Sequence, residues 1–349
     1  MNAGKIIKRL LFVLLLLLAL GAFKAFEIYK KAFAPNVMIP AKDREAFFYV
    51  HSDYTYDSVL KELKEQKLLK NIKSFEWTAT RKNYQAHINP GRYLLKHRMS
   101  NNDLVNKLRS GRQDPVELTF NNIRTLGQFA GRVGEQLEFD SSTLLSYMGD
   151  TALQHKYGLN SYTMACMFIP NTYELYWNIT PEKFLDRMYS EYENFWNNSR
   201  TAKAEEMGKS REEIITLASI VNEETRKKSE KKRIAGVYIN RLKKGMRLQA
   251  DPTVIFGLGN MSIRRVLRKH YLINTPYNTY MHYGLPPGPI CFPDISTIDA
   301  VLNYEKNDYL YFCAKPDFSG YHNFAKTLSE HNKNARAYQV QLNKKRIYK

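Results

Sequence analysis

The chain is 349 residues long, 44% hydrophobic and 25% charged, enough to bury a sizeable core and to fold as two globular units behind a leader. Its formal net charge is +19, with Lys and Arg spread over the whole length, which admits nucleic acid or an anionic surface as partner. Only three cysteines occur, Cys166, Cys291 and Cys313; that excludes a disulfide framework, no C-x-x-C pair offers metal-ligand spacing, and three buried free thiols are expected even though export would permit one disulfide.

Lys5, Lys8 and Arg9 precede an apolar run from Leu10 to Phe23, followed by Lys24 and an extension from Ala25 to Tyr29. Positive residues ahead of such a run hold residues 1–9 in the cytoplasm and send the remainder across the membrane. The run is short for a span of roughly 20 residues and overlaps the length of a signal-peptide core, with Ala19-Leu20-Gly21 as a weak cleavage site. Lys24 can snorkel and the extension can prolong the helix, so an uncleaved single-pass anchor over 10–29 is the expectation. No Cys directly follows the run, which argues against a lipoprotein. A chain sent outside the cytoplasm meets anionic lipid headgroups and anionic polymers, and nucleic acid drops out as a partner.

Residues 30–43 contain Pro35 and Pro40 and read as a juxtamembrane linker. A pattern then appears three times. Phe47–Val50 leads into Thr55 with Val59, Leu60 and Leu63; Arg92–Leu95 leads into Ser100 with Leu104, Val105 and Leu108; Val116–Phe120 leads into Thr125 with Phe129, Ala130 and Val133. Each is a short strand followed by a Ser/Thr-capped amphipathic helix. The first two copies make a small α/β module over 44–113. From Ser141 the remaining stretch, 114–349, turns mostly helical, broken at Phe168-Ile169-Pro170-Asn171-Thr172-Tyr173-Glu174. Aromatic residues crowd that region; helical spacing assigns most of them to packing, and Tyr173 is the candidate for stacking on a flat ligand face.

Ser210-Arg211-Glu212-Glu213 is a capping box, and Ile214, Leu217, Ala218 and Val221 recur at helical spacing behind it. At about 100° per residue Glu224 falls roughly 20° from Leu217, beside the apolar stripe, whereas Glu223 points nearly opposite and reads as a solvated acid. Lost hydration raises a carboxyl pKa toward the range of a general acid. On helix geometry alone the surface reading, in which Glu224 pairs with Arg226, Lys227 or Lys228, outweighs this. Ser229 is expected to cap a second helix bearing Ile234, Val237, Tyr238 and Leu242 and ended by Gly245. Asp251-Pro252-Thr253 reads as a turn in which cap and cleft roles for Asp251 are evenly matched. The Gly284–Pro289 loop reads as a rigid connection, Tyr309–Phe312 as a strand, and Lys333–Lys349 as a basic helix. His322 and His331 lack a third ligand at metal-site spacing and are expected to have ordinary polar partners.

Ala218-Ser219-Ile220-Val221-Asn222-Glu223-Glu224-Thr225, Met246-Arg247-Leu248-Gln249, Ala250-Asp251-Pro252-Thr253-Val254-Ile255-Phe256-Gly257, Tyr277-Asn278-Thr279-Tyr280 and Gly284–Ile290 occur in this order. The series resembles the YceG-like family of endolytic murein transglycosylases. The resemblance implies an α+β chain: a membrane helix, a small LysM-like α/β subdomain, and a larger, mostly helical α+β catalytic domain. It assigns the catalytic acid to Glu224, the residue that the helical face also selects. The sequence departs from the commoner family pattern at Asn222, where an acid is frequent, and at Asn171, where an amide excludes titration. Candidates for substrate contact are Tyr173, Gln249, Asp251, Thr253, Asn278, Tyr280 and His322; no metal or organic cofactor is called for.

The implied reaction is endolytic cleavage of the bond between N-acetylmuramic acid and N-acetylglucosamine in nascent peptidoglycan, leaving a 1,6-anhydro end, at the cell (inner) membrane. The implied partners are glycan strands, with penicillin-binding proteins and the elongation or division machinery alongside. Two alternatives stand: a hydrolase of the same glycan using Glu224 with Asp251, and a non-catalytic anchored wall-binding protein.

Overall fold

The N-terminal apolar run folds as helix α1 (Ala3–Phe33), of which Gly4–Phe33 is long and apolar enough to cross a membrane. In this computed structural model, which describes residues 3–40, 42–263 and 266–345, the chain divides into two units. One is formed by Met1–Glu117 with Glu174–Ile179, the other by Leu118–Tyr173 with Thr180–Lys349. Met1 and Asn2 of the expected cytoplasmic end, Ala41 of the expected linker and residues 346–349 of the expected basic helix lie outside the described residues.

In the first unit β1 (Glu45–Val50) pairs antiparallel with β2 (Gly91–Lys96), from Glu45 opposite Lys96 to Val50 opposite Gly91. Three helices accompany the pair: α2 (Tyr56–Glu65), α3 (Ile72–Arg81) and α4 (Asn101–Ser110). Thr55 and Ser58 close a reciprocal capping box on α2, and Ser100 caps α4 through Asp103 N, as the strand–cap–helix pattern predicts. Phe48, Val50, Tyr93 and Leu95 alternate inward from the strands and pack with Val59, Leu63, Phe75, Leu104 and Leu108. The linker expected over 30–43 is not a free segment: α1 runs on to Phe33, and Val37 and Ile39 are buried members of this core. Two neighbouring extended apolar residues are too short a pattern to register as periodicity.

The third copy of the pattern straddles the division at Glu117. β3 (Val116–Thr119) pairs with β4 (Thr172–Leu175), and Thr125 caps α5 (Leu126–Gly134) through Gln128 N. Helices α6 (Ser141–Gly149), α7 (Thr151–Lys156), α8 (Pro181–Phe195) and α9 (Asn198–Glu206) follow. Next come α10 (Arg211–Glu224), α11 (Lys228–Lys243), α12 (Asp251–Gly257), α13 (Arg268–Tyr271) and α14 (Ile295–Leu302). An antiparallel pair, β5 (Tyr311–Ala314) and β6 (His322–Ala325), and helix α15 (Leu328–Lys344) complete the second unit. The architecture is α+β, mostly helical in this unit.

Helix α10 is the axis of the second unit. Every residue from Ile214 to Val221 is buried, and α9, α11, α12 and α14 pack around it, so it is a core helix rather than a one-sided amphipathic one. Local expectations shift in three places. Lys227, with no side-chain cap bond, precedes α11, and Ser229 lies inside that helix. Asp251 is the first residue of α12 rather than part of a turn, because Pro252 fits the first helical turn, where its missing N–H costs nothing. The strand expected over Tyr309–Phe312 is displaced to Tyr311–Ala314. Cys166 and Cys291 are buried and free, whereas Cys313 is free but only half-buried.

Candidate active site

Ser210 and Glu213 start α10 with reciprocal bonds, Glu213 N donating to Ser210 Oγ at 3.2 Å and Ser210 N to Glu213 Oε2 at 2.9 Å. The helix emerges from the core only in its last turn, at Asn222, Glu223 and Glu224, and Thr225 ends it in extended conformation. Two acids at the negative end of a helix dipole oppose the usual charge preference there, a local inconsistency of the kind that functional sites tolerate.

The two acids differ by partner rather than by the clean inside–outside division of the helical wheel. Glu223 is not a plain solvated acid: its side chain is only 18% exposed and pairs with the Arg124 guanidinium. Glu224 is half-buried, and instead of Arg226, Lys227 or Lys228 its Oε1 accepts a 2.7 Å hydrogen bond from the Tyr238 hydroxyl. Loss of hydration pushes its pKa up to about 7, with the negative charge of Asp251 adding to the rise; the Tyr238 hydrogen bond and the Arg241 charge act in the opposite direction.

The surrounding elements fix these neighbours. Tyr238 comes from the third turn of α11 and is 2% exposed; Phe312 of β5 meets its ring edge-on at 5.9 Å. Arg241, one turn on, donates to Leu310 O at 2.6 Å and to Leu248 O at 2.9 Å, which ties the segment entering α12 to α11 and β5. Asp251 stands at the start of α12, where its Oδ1 accepts from Tyr280 at 2.6 Å and Tyr271 at 3.2 Å. The rings of those two tyrosines lie 4.1 Å apart. Gln249 is exposed, holds a left-handed φ of 51°, and its Oε1 accepts from Arg241 at 3.3 Å.

Asp251 therefore acts on Glu224 through its charge, and Gln249 and Tyr280 connect to the same neighbourhood through Arg241 and Asp251. Four other sequence candidates are committed to the fold. Tyr173 is 5% exposed, stacks on Phe120 and donates to Ile169 O at 2.5 Å, so it is a core residue. Thr253 is fully buried, bonded to Ala250 O and to the Thr279 hydroxyl. The Asn278 amide gives both hydrogens to backbone oxygens, Tyr271 O at 3.0 Å and Ile273 O at 2.7 Å, and accepts from Tyr280 N at 3.0 Å. No donor remains there for a sugar; the residue shapes the loop that presents Tyr280. His322 joins β6 to the start of α11 through Glu230, with Nδ1 and the backbone N each 2.9 Å from its carboxylate oxygens.

Arg241, Tyr271 and Arg124 join these neighbours without a signal in the sequence, and Tyr238 carries only that of a core position on its helix. Tyr238 lies ten residues into the next helix, about 15 Å along its axis, and its spacing there is that of any core residue. The Gly284–Pro289 loop and Ile290 after it pack closely: a Cβ at Gly288 would collide with Tyr162 O, and Ile290 N donates to Ser219 Oγ of α10 at 2.9 Å.

The model of the YceG-like family matches residues 48–337. A Bacillus subtilis protein named endolytic murein transglycosylase is 30% identical over 301 residues, covering 81% of this chain and 82% of that one. A protein of the same name from Streptococcus pneumoniae (strain D39) is 30% identical over 284 residues; the match covers 72% of this chain but 51% of the relative, so the chain spans about half the streptococcal length. A crystal structure of a yceG-like protein from Listeria monocytogenes aligns with a TM-score of 0.55 at 28% identity, covering 83% of this chain and 98% of that one. With a family match across residues 48–337 and a relative 30% identical over four-fifths of both chains, the chain belongs to the YceG-like family.

Proposed function

We propose that the protein is an endolytic lytic transglycosylase of peptidoglycan, with Glu224 as its single acid–base residue. The observation that carries the assignment is the environment of that carboxyl: half-buried, bonded to a phenol rather than a cation, and beside a second acid, so that it keeps its proton near neutral pH. The activity itself comes from the named relatives. Glu224 gives its proton to the oxygen linking N-acetylmuramic acid to N-acetylglucosamine as the C1–O bond breaks. The muramyl ring passes through an oxocarbenium-like state. The carboxylate then takes the proton of the C6 hydroxyl as O6 closes on C1, giving the 1,6-anhydro end and restoring the acid. Asp251, oriented by Tyr280 and Tyr271, offsets positive charge on the ring, while Gln249 and Tyr280 offer polar contacts to the sugar. On this reading α1 anchors the protein in the cell membrane with the remainder outside the cytoplasm. It works where new strands emerge, beside the glycan-polymerising and elongation or division machinery, and the small unit positions or holds glycan.

One observation favours a second reading. Asp251 is near enough for its charge to raise the Glu224 pKa, and a second carboxylate could direct a water to C1. Mass spectrometry of muropeptides released by the parent and by Glu224→Gln separates the cases. Anhydro ends from the parent and no release by the variant support the proposal. Products heavier by one water would assign hydrolysis, and equal release by both proteins would remove Glu224 from the chemistry.

A further inference from the structure

A cavity of about 480 Å³, lined by Glu223 and Thr225 on either side of Glu224 in the chain, lies wholly in the second unit. Its lining carries four cations, Arg124, Arg226, Lys228 and Lys231, against two acids, Glu223 and Asp294. Glu223 and Arg124 also line a smaller cavity of about 120 Å³ walled by Pro252, the neighbour of Asp251, and by Phe256. The ion pair is thus a partition between the basic cavity and the start of α12. At roughly 30 Å³ per water the larger space has room for far more than an ion.

Its floor is the Lys231 ammonium, on a side chain 6% exposed. That group donates to two neutral oxygens, Asn222 Oδ1 at 3.1 Å and the Thr297 hydroxyl. Among the described residues the only carboxylate within 4 Å is Asp294, at 3.9 Å, beyond hydrogen-bond range. Burial lowers the Lys231 pKa, as expected of a cation taken out of water with no close anion. An acid at position 222 would have neutralised it; the Asn222 amide does not, and leaves the cavity an unfilled preference for an anion.

We propose that this cavity binds a carboxylate of an acidic peptide branch carried by the glycan beside the bond to be cut. The inference rests on the proposed glycan substrate. A carboxylate could also come from the bare lactyl group of a peptide-free muramyl residue, so the test compares both sources. Binding of defined glycan fragments to the full chain in detergent micelles, measured by calorimetry in the Glu224→Gln background, needs no turnover. Fragments with free-carboxyl peptides should bind about tenfold tighter than peptide-free or amidated ones. That margin should vanish both in Arg226→Ala/Lys228→Ala, which changes only exposed residues, and in Asn222→Asp, which gives Lys231 its own anion. Equal affinity for all fragments, tighter binding of the bare lactyl form, or a margin untouched by the substitutions would overturn the inference. Cleavage of peptide-free strands by the parent chain reports separately on the proposed activity.

Discussion

The neighbours of Glu224 pull its proton affinity in opposite directions, and each direction is measurable. Acting as an acid, the group must hold its proton in the free enzyme, so kcat/KM should fall tenfold per pH unit above about 7. Tyr238 stabilises the carboxylate, so Tyr238→Phe moves that limb to higher pH; Asp251 destabilises it, so Asp251→Asn moves the limb lower. Limbs that shift the same way, or not at all, would show that neither group acts on Glu224. Stability follows the same linkage. Folding raises this carboxyl from 4.5 to about 7, so the gain from the protonated form is complete below 4.5 and is lost as pH rises through 7. The ionised group then costs on the order of 1–3 kcal/mol after allowance for its partial exposure. Glu224→Gln should accordingly melt a few degrees above the parent at pH 8 and level with it at pH 4, by differential scanning calorimetry.

At the scale of elements, caps decide what the sequence makes legible. Thr55, Ser100, Thr125 and Ser210 all cap the helices expected of them, because a Ser/Thr oxygen aimed at the third helical N–H is a local event visible in a few residues. Ser229 breaks the rule because α11 begins at Lys228 with no side-chain cap, held instead by α10, α14 and β5 packed against it. The difference can be read as stability: Ser210→Ala should cost about 1 kcal/mol, and Ser229→Ala should stay within about 0.5 kcal/mol of the parent. The site divides in the same way. Glu224 is legible because one helix places it beside apolar residues and the motif around it resembles the family's, the helix alone being insufficient. Tyr238 and Arg241 are not, since the third turn of α11 meets the end of α10 only through tertiary packing. Thr253 and Asn278 stand in motifs that suggest sugar contacts, yet their polar atoms are consumed in holding α12 and the Tyr280 loop.

For the whole molecule the consequential departure from the sequence reading is where the N-terminal apolar helix ends and the first unit begins. A helix of thirty residues is about 45 Å long against a hydrocarbon core of about 30 Å, so α1 outruns the membrane it can cross. Its last turn does not fray into a linker: Asn101 Nδ2 donates to Lys31 O at 2.9 Å, and α1 packs on α3 and α4. Asn36 then bridges, its amide donating to Asn101 Oδ1 at 2.6 Å and Asn71 O at 3.0 Å while its oxygen accepts from Asn71 N at 2.8 Å. Val37 and Ile39 follow into the core at 1% and 4% exposure. Burying two such side chains is worth roughly 3–6 kcal/mol, and the lost Asn36 bridge would leave polar partners unsatisfied. Those sums rival the whole stability of a small domain, about 5–15 kcal/mol. Removal of residues 1–29 should therefore leave the first unit folded, whereas removal of 1–39 should unfold it. Limited proteolysis should find 44–117 protected in the shorter truncation and cleaved in the longer one. Equal protection in both would mean that the segment after α1 is a tether after all, and that α1 and the first unit fold independently.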